Sequence, residues 1–316
     1  MKRVYVTLDF VCNNDCVMCA NTDEERNKDY RLATQEVKDY LTGLGLKDGD
    51  IVEFSGGEPT IRKDILELCK YFKENCKGEL AILTNGRRMA DPAFADEIAR
   101  YINRTVTAFY APDPVLHDTV TRKKGSFDDA FRGVKNMEER GVRVGIKTIP
   151  TKLTYRQLPQ FVDFAFDNFK NPTVFFSGLD LRGQACTNQD EVAVRFSDVA
   201  PFLEAAIDRA AERGKTAYIF TMPMCSIDPF YWNNYSMCMD EISKDIEFLI
   251  PGKESKKDKG LLLDKPSEDC HVCEMENRCF WGWKGYVERF GSSEFKAYKE
   301  IDGVLMQEKD RKPAEQ

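Results

Sequence analysis

The sequence predicts an α/β protein. It divides into a partial, open (β/α)6 barrel over residues 1–215, a small cysteine-rich α+β domain over 216–291, and a C-terminal helix or tail over 292–316. Three observations predict this. Short β-branched or aromatic runs alternate with amphipathic stretches, the signature of βα units around a parallel sheet. Six such runs are complete by about residue 190, too few for the eight units of a closed barrel. Beyond Thr216 the texture changes to short strand-like runs, a polar loop and clustered cysteines. The length of 316 residues agrees, since about 150 residues per domain gives roughly two domains, or one barrel with an appendage.

The runs Val4 to Thr7, Ile51 to Ser55, Leu80 to Thr84, Thr105 to Tyr110, Val142 to Ile149 and Thr173 to Ser177 are the six expected strands. Between the first two, Val37, Tyr40, Leu41 and Leu44 share one helical face behind Thr34, whose hydroxyl suits an N-cap. Ile65, Leu68, Cys69, Phe72 and Cys76 line the next helix at core spacing. Ser126 and Asp129 stand in capping-box positions ahead of Ala130, Phe131, Val134 and Met137, and Gly141 stops that helix. Leu158 to Phe169 is a fourth helix, and a fifth starts near Pro201 and ends at Gly214. Ala217 to Phe220, Ile246 to Ile250 and Leu261 to Leu263 read as strands of the second domain, and the charged end from about Gln307 reads as frayed.

Lys+Arg 46 against Asp+Glu 53 leaves a net charge of −7, which argues against a general nucleic-acid or membrane-surface binder. No apolar run approaches the roughly eighteen residues of a membrane span, and the start reads as a strand rather than a signal peptide, so the expected location is cytoplasmic. A chain this long folds without covalent staples, so in a reducing compartment its eleven cysteines are expected to bind metal or do chemistry rather than form disulfides. Only two histidines exist, His117 and His271, which leaves almost no material for histidine acid–base or zinc-protease chemistry.

Cys12, Cys16 and Cys19 fall in one loop, CNNDCVMC, directly after the first strand. Structural zinc wants four closed ligands, and nothing nearby supplies a fourth. A cubane iron–sulfur cluster held by three cysteines keeps one iron open to an exogenous ligand. With this C-x3-C-x2-C loop the chain resembles the radical S-adenosylmethionine (radical SAM) enzymes. Ser55-Gly56-Gly57-Glu58-Pro59 resembles the family's GGEP segment, Thr84-Asn85-Gly86 its TNG, His117-Asp118 with Gly125-Ser126-Phe127 the segment after its fourth strand, and Leu181-Arg182-Gly183-Gln184-Ala185 the segment after its sixth. The resemblance covers roughly residues 3 to 190.

It implies a 4Fe-4S cluster on Cys12, Cys16 and Cys19, with S-adenosyl-L-methionine chelated to the open iron, Met18 near the adenine, and Gly56, Gly57, Glu58, Pro59 and Asn85 among the cofactor-binding residues. Two glycines let backbone approach a ligand, and backbone edges plus Glu58 can accept from an ammonium. Arg87, Arg88 and Arg182 can meet the cofactor carboxylate, and Lys147, counted with the cofactor-binding residues, can reach the pocket because alternate strand residues point inward. The implied chemistry is reductive cleavage of S-adenosylmethionine to a 5′-deoxyadenosyl radical that abstracts hydrogen, driven by an external one-electron reductant of flavodoxin or ferredoxin type.

A second set comprises Cys225, Cys238, Cys270, Cys273 and Cys279. Cys270-x2-Cys273-x5-Cys279, then Gly282, Tyr286 and Gly291, resembles the C-terminal modules of radical SAM enzymes called SPASM and, in shorter form, twitch. Too few cysteines remain for two auxiliary clusters, and Trp283 stands where the next would fall. The resemblance implies one auxiliary 4Fe-4S cluster, on Cys225, Cys270, Cys273 and Cys279 with Cys238 spare, or, in a twitch-like arrangement, on Cys225, Cys238, Cys270 and Cys273; a zinc knuckle is the alternative. Cys69 and Cys76 read as packing residues, whereas Cys186 and Cys238 are candidate catalytic thiols able to donate hydrogen to a product radical.

Three functions compete. One is maturation of a ribosomal peptide by epimerisation, cross-linking or oxidation, the second is dehydrogenation or epimerisation of a sugar, aminoglycoside or other small metabolite, and the third is a non-catalytic metal-binding scaffold. Spare thiols favour the peptide. A cluster loop starting at residue 12, where such enzymes often carry a leader-binding domain first, weighs against it.

Overall fold

The computed structural model describes residues 1–27, 30–236, 246–252 and 265–299. Its strands are β1 (Arg3–Thr7), β2 (Ile51–Ser55), β3 (Glu79–Thr84), β4 (Arg104–Ala108), β5 (Arg143–Thr148), β6 (Thr173–Ser177), β7 (Ala217–Phe220) and β8 (Ile246–Leu249). They form one eight-stranded sheet in the order β7-β6-β5-β4-β3-β2-β1-β8, parallel throughout. Sequence reasoning counted six strands in this sheet. The two further ones are runs assigned to the second domain: β7 extends the sheet beyond β6, and β8 covers the outer edge of β1. An open half-barrel has two raw edges whose N–H and C=O groups need partners, and these short strands supply them. Leu261 to Leu263 lies outside the described residues.

The helices, in chain order, are α1 (Asp23–Asn27), α2 (Thr34–Gly43), α3 (Ile65–Asn75), α4 (Pro92–Ile98), α5 (Pro114–Thr121), α6 (Ser126–Glu139), α7 (Leu158–Asn168), α8 (Gly183–Thr187), α9 (Gln189–Val192), α10 (Phe196–Glu212) and α11 (Lys284–Phe290). Their apolar stripes cover one face of the sheet. Val4, Val6, Phe54, Ile82, Ile146 and Phe176 are fully buried in the same core as Val37, Leu68, Val134 and Val162 of the helices. Strand residues between them, such as Tyr5, Glu53 and Lys147, keep some accessible area and face the uncovered concave side.

Three helix starts differ from expectation. Ala33 is the N-cap of α2, where Glu36 accepts from the Ala33 N–H at 3.2 Å, and the Thr34 hydroxyl donates instead to Asp64 at 2.6 Å. Gly125, at φ 79°, precedes α6, and the Ser126 hydroxyl is drawn to Asp118, which also accepts from the Gly125 and Phe127 N–H groups. Helix α10 begins at Phe196, so Pro201 lies inside it rather than opening it.

Residues 265–299 return to the barrel. Tyr286 of α11 stacks on Phe196 with ring centroids 3.9 Å apart and accepts from the Phe196 N–H at 2.9 Å. Glu294 accepts from the Ser197 N–H at 3.1 Å and from the Tyr286 hydroxyl, so the chain after α11 is tied to the start of α10. No helix occurs in residues 292–299. Among the described residues, no helix is long and apolar enough to cross a membrane.

Candidate active site

The three-cysteine loop leaves β1 at the C-terminal edge of the sheet, and segments following several other elements hold its backbone. Asp15 and Val17 donate to the carbonyls of Thr121 and Val120 at 3.0 and 2.8 Å, and the Cys19 carbonyl accepts from Ala185 of α8 at 3.1 Å. Asn188 donates to the Val17 carbonyl at 3.0 Å. After β3, Arg87 reaches the Asn13 carbonyl at 2.7 Å and the Asn14 side chain at 3.1 Å, while Asn85 donates to the Asn13 side chain at 2.6 Å. The loop is therefore moulded by residues far away in sequence.

The thiols of Cys12, Cys16 and Cys19 converge. Burial pushes each upward, Cys12 to about 11, and the charges of Cys12 and Cys19 both act on Cys16. The Tyr110 hydroxyl hydrogen-bonds Cys16, and the Asn14 N–H donates to Cys12 at 3.4 Å. Desolvated thiols of this kind become thiolates when a positive metal centre compensates them. Among the described residues, no three His, Cys, Asp or Glu stand together as ligands of one metal ion. Thiolates of a cubane each bind a different iron and so stand farther apart than ligands of a single ion, and this donor set fits a cluster.

Against that loop lies the GGEP segment. The Gly57 N–H donates to the Asp9 carbonyl at 2.9 Å and the Glu58 N–H to the Val11 carbonyl at 2.8 Å. A Cβ on Gly56, whose φ is +136°, would stand 2.1 Å from the Asp9 oxygen, and one on Gly57 would stand 2.2 Å from the Val11 oxygen. Both glycines are thus required for packing against the cluster loop itself.

Glu58 was expected to accept from a ligand ammonium, but its carboxylate is fully buried and takes four donors: the Thr60 N–H and hydroxyl at 3.0 and 2.6 Å, the Thr84 hydroxyl at 2.6 Å and the Asn85 N–H at 2.6 Å. It joins the ends of β2 and β3. Burial raises its carboxyl above the usual range, and these donors oppose that rise. Pro59 is buried at the start of the short turn Pro59–Ile61.

Met18 is buried with Val17, Val120, Leu181 and Ala185, an apolar patch beside the cysteine loop. The arginines differ from expectation. Arg87 braces the loop and pairs with Asp129, Arg88 donates to the Thr60 carbonyl at 2.5 Å and covers the Phe94 ring, and Arg182 is held by Asp180 at 2.6 and 2.8 Å. Cys186 lies exposed on α8. Lys147 faces the concave side, 5.9 Å from the centroid of the Phe220 ring. His117 of α5 accepts from the Tyr110 N–H through Nδ1 at 3.2 Å, and burial lowers it to about 4, so it is a neutral acceptor for the loop after β4.

Sequence reasoning missed Arg62. It is buried, donates to the Leu8 and Leu32 carbonyls, and pairs with Asp64 at 2.7 Å. Its only sequence signal was a charge three residues beyond Pro59, which is indistinguishable from a solvated one.

The second cysteine set gathers elsewhere. Cys225, Cys270, Cys273 and Cys279 line one recess with Met275, Trp281 and others, with about 340 Å³ of empty space that is partly open to solvent. Burial pushes Cys225 up to about 11, with the charges of Cys270 and Cys273 adding to it, and raises Cys279 to about 12, with Cys225 and Cys270 adding. Backbone N–H groups already point at sulfur: Met224 and Trp281 to Cys279, both at 3.3 Å, and Tyr298 to Cys273 at 3.4 Å. Four thiols round one recess with N–H donors, none grouped in threes as ligands of one metal ion among the described residues, fit a cluster whose irons each take a separate thiolate. Cys238 lies outside the described residues.

A parallel half-barrel with a three-cysteine loop at its strand ends defines a class, and comparison with known proteins agrees. The family model described as the Radical SAM superfamily matches residues 9–165. Fe-coproporphyrin III synthase of Methanosarcina barkeri is 28% identical over 213 residues, 67% of this chain and 53% of that protein. Mycofactocin maturase MftC of Mycolicibacterium smegmatis is 33% identical over 161 residues, 50% of this chain and 40% of that one. The chain spans about half the length of the curated relatives it matches. In fold it resembles Streptococcus suis SuiB bound to precursor peptide SuiA, with a TM-score of 0.66 at 16% identity, covering 94% of this chain and 75% of that one. The chain belongs to the radical SAM superfamily of enzymes, whose members imply a 4Fe-4S cluster and S-adenosylmethionine.

Proposed function

We propose that this protein reductively cleaves S-adenosylmethionine and uses the resulting radical to modify a ribosomal peptide. The observation that carries the reading is the convergence of Cys12, Cys16 and Cys19 in a loop that the GGEP segment holds by backbone hydrogen bonds. When bound, the cluster and S-adenosylmethionine supply a 5′-deoxyadenosyl radical able to take hydrogen from an unactivated carbon. The chain's own part is to hold and enclose. Cys12, Cys16 and Cys19 ligate the cluster, Asn85 and the Gly56-Gly57 backbone border the cofactor, and Met18 with its apolar neighbours excludes water beside it. Lys147 is a basic group on the concave side, and Arg182 is neutralised by Asp180.

Cys225, Cys270, Cys273 and Cys279 are proposed to carry one auxiliary 4Fe-4S cluster, in a C-terminal module of the SPASM or twitch type over about residues 216–291. The recess that Cys279 shares with Cys225, Cys270 and Cys273 supports this ligand set. A flavodoxin or ferredoxin is the proposed electron donor. A peptide substrate is supported by the name of the maturase relative and by the fold shared with a peptide-bound enzyme. Acting on a small metabolite is the second reading, favoured by the relative named for Fe-coproporphyrin III.

The test is anaerobic reconstitution followed by reduction with S-adenosylmethionine present. 5′-Deoxyadenosine should form with the wild-type chain and not with Cys12, Cys16 and Cys19 changed together to Ala. An iron-loaded wild type that yields none overturns the reading. Mass change in an encoded candidate peptide, against turnover of a metabolite, separates the two substrate classes.

A further inference from the structure

The rim of the cysteine loop reaches the surface beside a compact basic turn. Asp15, the neighbour of Cys16, is exposed, and its N–H donates to the Thr121 carbonyl at 3.0 Å, where α5 gives way to Arg122-Lys123-Lys124-Gly125. The turn is held from within. Arg122, at φ 51°, closes α5 in the left-handed region, the Lys123 N–H donates to the Asp118 carbonyl at 3.1 Å, and the Ser126 N–H donates to the Lys123 carbonyl at 3.2 Å. Arg122, Lys123 and Lys124 are all exposed. Arg122 reaches Asp15 at 4.0 Å and the Asn188 side chain at 3.2 Å, whereas the ammonium groups of Lys123 and Lys124 have no ion pair or hydrogen bond among the described residues. Carboxylates near the loop are engaged: Asp15 also by Arg26 at 3.0 Å, Asp118 by the Gly125 and Phe127 N–H groups and the Ser126 hydroxyl, and Asp129 by Arg87 and Arg132. In α1, Asp23 accepts from Gln184 and Glu25 from the Thr22 N–H. Asp128, exposed in the first turn of α6, is the carboxylate that opposes the two lysines.

Over the whole chain the net charge is −7, so an acidic protein is repelled by the molecule at large and drawn to a place where cations stand unmatched. Electron transfer between proteins falls off steeply with distance, so a donor has to dock where the cysteine loop comes to the surface. Both requirements meet at this turn. We propose that Lys123 and Lys124 form the docking surface for an acidic one-electron carrier protein, seated over Asp15 and the turn between α5 and α6. The proposal deepens the radical SAM reading and rests on it for the presence of a cluster on the loop. In the docked pair one electron leaves the carrier's reduced centre, which is oxidised, and enters the loop cluster, which is reduced; no proton moves and no covalent bond forms or breaks. Two lysines make a small contact, as suits a partner that must leave after each electron.

The experiment mixes the reconstituted enzyme anaerobically with an acidic flavodoxin and, separately, with an acidic ferredoxin, and measures the association rate by stopped flow at about 20 mM and about 500 mM salt. Association with the wild type should be faster at the lower salt, where charges are screened least. Lys123→Glu with Lys124→Glu should slow it about tenfold there, the low end of electrostatic steering, and the difference should vanish at high salt. Lys73→Glu with Lys77→Glu makes the same change in net charge at exposed positions ahead of β3, by the opposite end of the strands, and should slow association by less than about twofold. Circular dichroism melting confirms that each variant is folded, and Lys123→Gln with Lys124→Gln keeps the test open if the charge reversal is not. Equal slowing by the two Glu pairs, or none by the first, overturns the docking surface, as does failure of both carriers to bind the wild type at low salt. A wild-type dimer that the first pair dissociates, seen by sedimentation, would assign the lysines to a second copy of this chain and overturn it as well. Deoxyadenosine formation by the wild type is driven separately with dithionite, a small reductant that needs no docking; its absence from iron-loaded protein counts against the radical SAM reading and not against the surface.

Discussion

Gly57 and Val11 are in backbone contact: a Cβ built on Gly57 would stand 2.2 Å from the Val11 carbonyl oxygen, which accepts the neighbouring Glu58 N–H at 2.8 Å. The second strand end and the cysteine loop are therefore one packed unit, and a change in the first is felt by the second.

Gly57→Val should accordingly dislodge the cysteine loop and not merely weaken cofactor affinity. A reconstituted Gly57→Val protein should lose about four irons relative to wild type, the content of one cubane. Full iron with reduced S-adenosylmethionine affinity would show that the loop tolerates the intrusion.

Arg87 clamps the same loop through the Asn13 carbonyl and the Asn14 side chain, and is itself anchored by Asp129 at 3.2 Å. Arg87→Ala should speed loss of the loop cluster to a chelator by about tenfold, the scale of one charged hydrogen bond. Arg87→Lys should recover only part, because one ammonium cannot span the fork that reaches both the loop and Asp129. The decay of cluster absorbance under chelator reads the rate, and equal rates in all three proteins would remove the clamp.

The recess ligand set predicts a difference between two cysteines. Cys279→Ala should leave about four irons of an expected eight or so and preserve the loop cluster, whereas Cys238→Ala should retain both clusters. Iron analysis with electron paramagnetic resonance reads both. Loss of the auxiliary signal in Cys238→Ala, with its survival in Cys279→Ala, would favour the twitch-like set.

His117 predicts a pH dependence. Its folded-state value, about 4 through burial, lies below the ordinary histidine value of 6.5, so the unfolded chain binds its proton first as pH falls. The stability contributed by the neutral ring is complete above 6.5 and is lost between 6.5 and about 4. Between pH 7 and pH 5 this single group should remove about 2 kcal/mol, order of magnitude, of unfolding free energy. His117→Gln should show a slope shallower by that amount in denaturant titrations, and parallel slopes would contradict the assignment.

The extent to which this was legible in sequence follows the range of each interaction. The six strand runs and the helix faces could be read because their signal is local: side-chain period and β-branching. The three loop cysteines and the GGEP segment were legible as chemistry because spacing alone puts three thiols on one short loop. Where reading failed, a distant group had outbid a local one. Thr34 and Ser126 can each cap their own helix, but Asp64 and Asp118 claim their hydroxyls. Glu58 can receive an ammonium on paper, yet the folded chain brings Thr84 and Asn85 to it from the next strand.

By itself, then, the sequence determined the βα alternation, the cysteine loop and the superfamily, because each is written in contiguous residues. Tertiary structure decided the rest. It joined β7 and β8 to the edges of the sheet, since open edges carry unpaired backbone groups that must be met by whatever strand is in reach. It gathered Cys225, separated by more than forty residues from Cys270, into one recess with Cys270, Cys273 and Cys279. It also brought Lys147 of β5 within range of the charge of Glu53 on β2, a pairing that no periodicity records. Contacts between residues so far apart depend on how the sheet curls, and curvature arises from the packing of all the strands together rather than from any one segment.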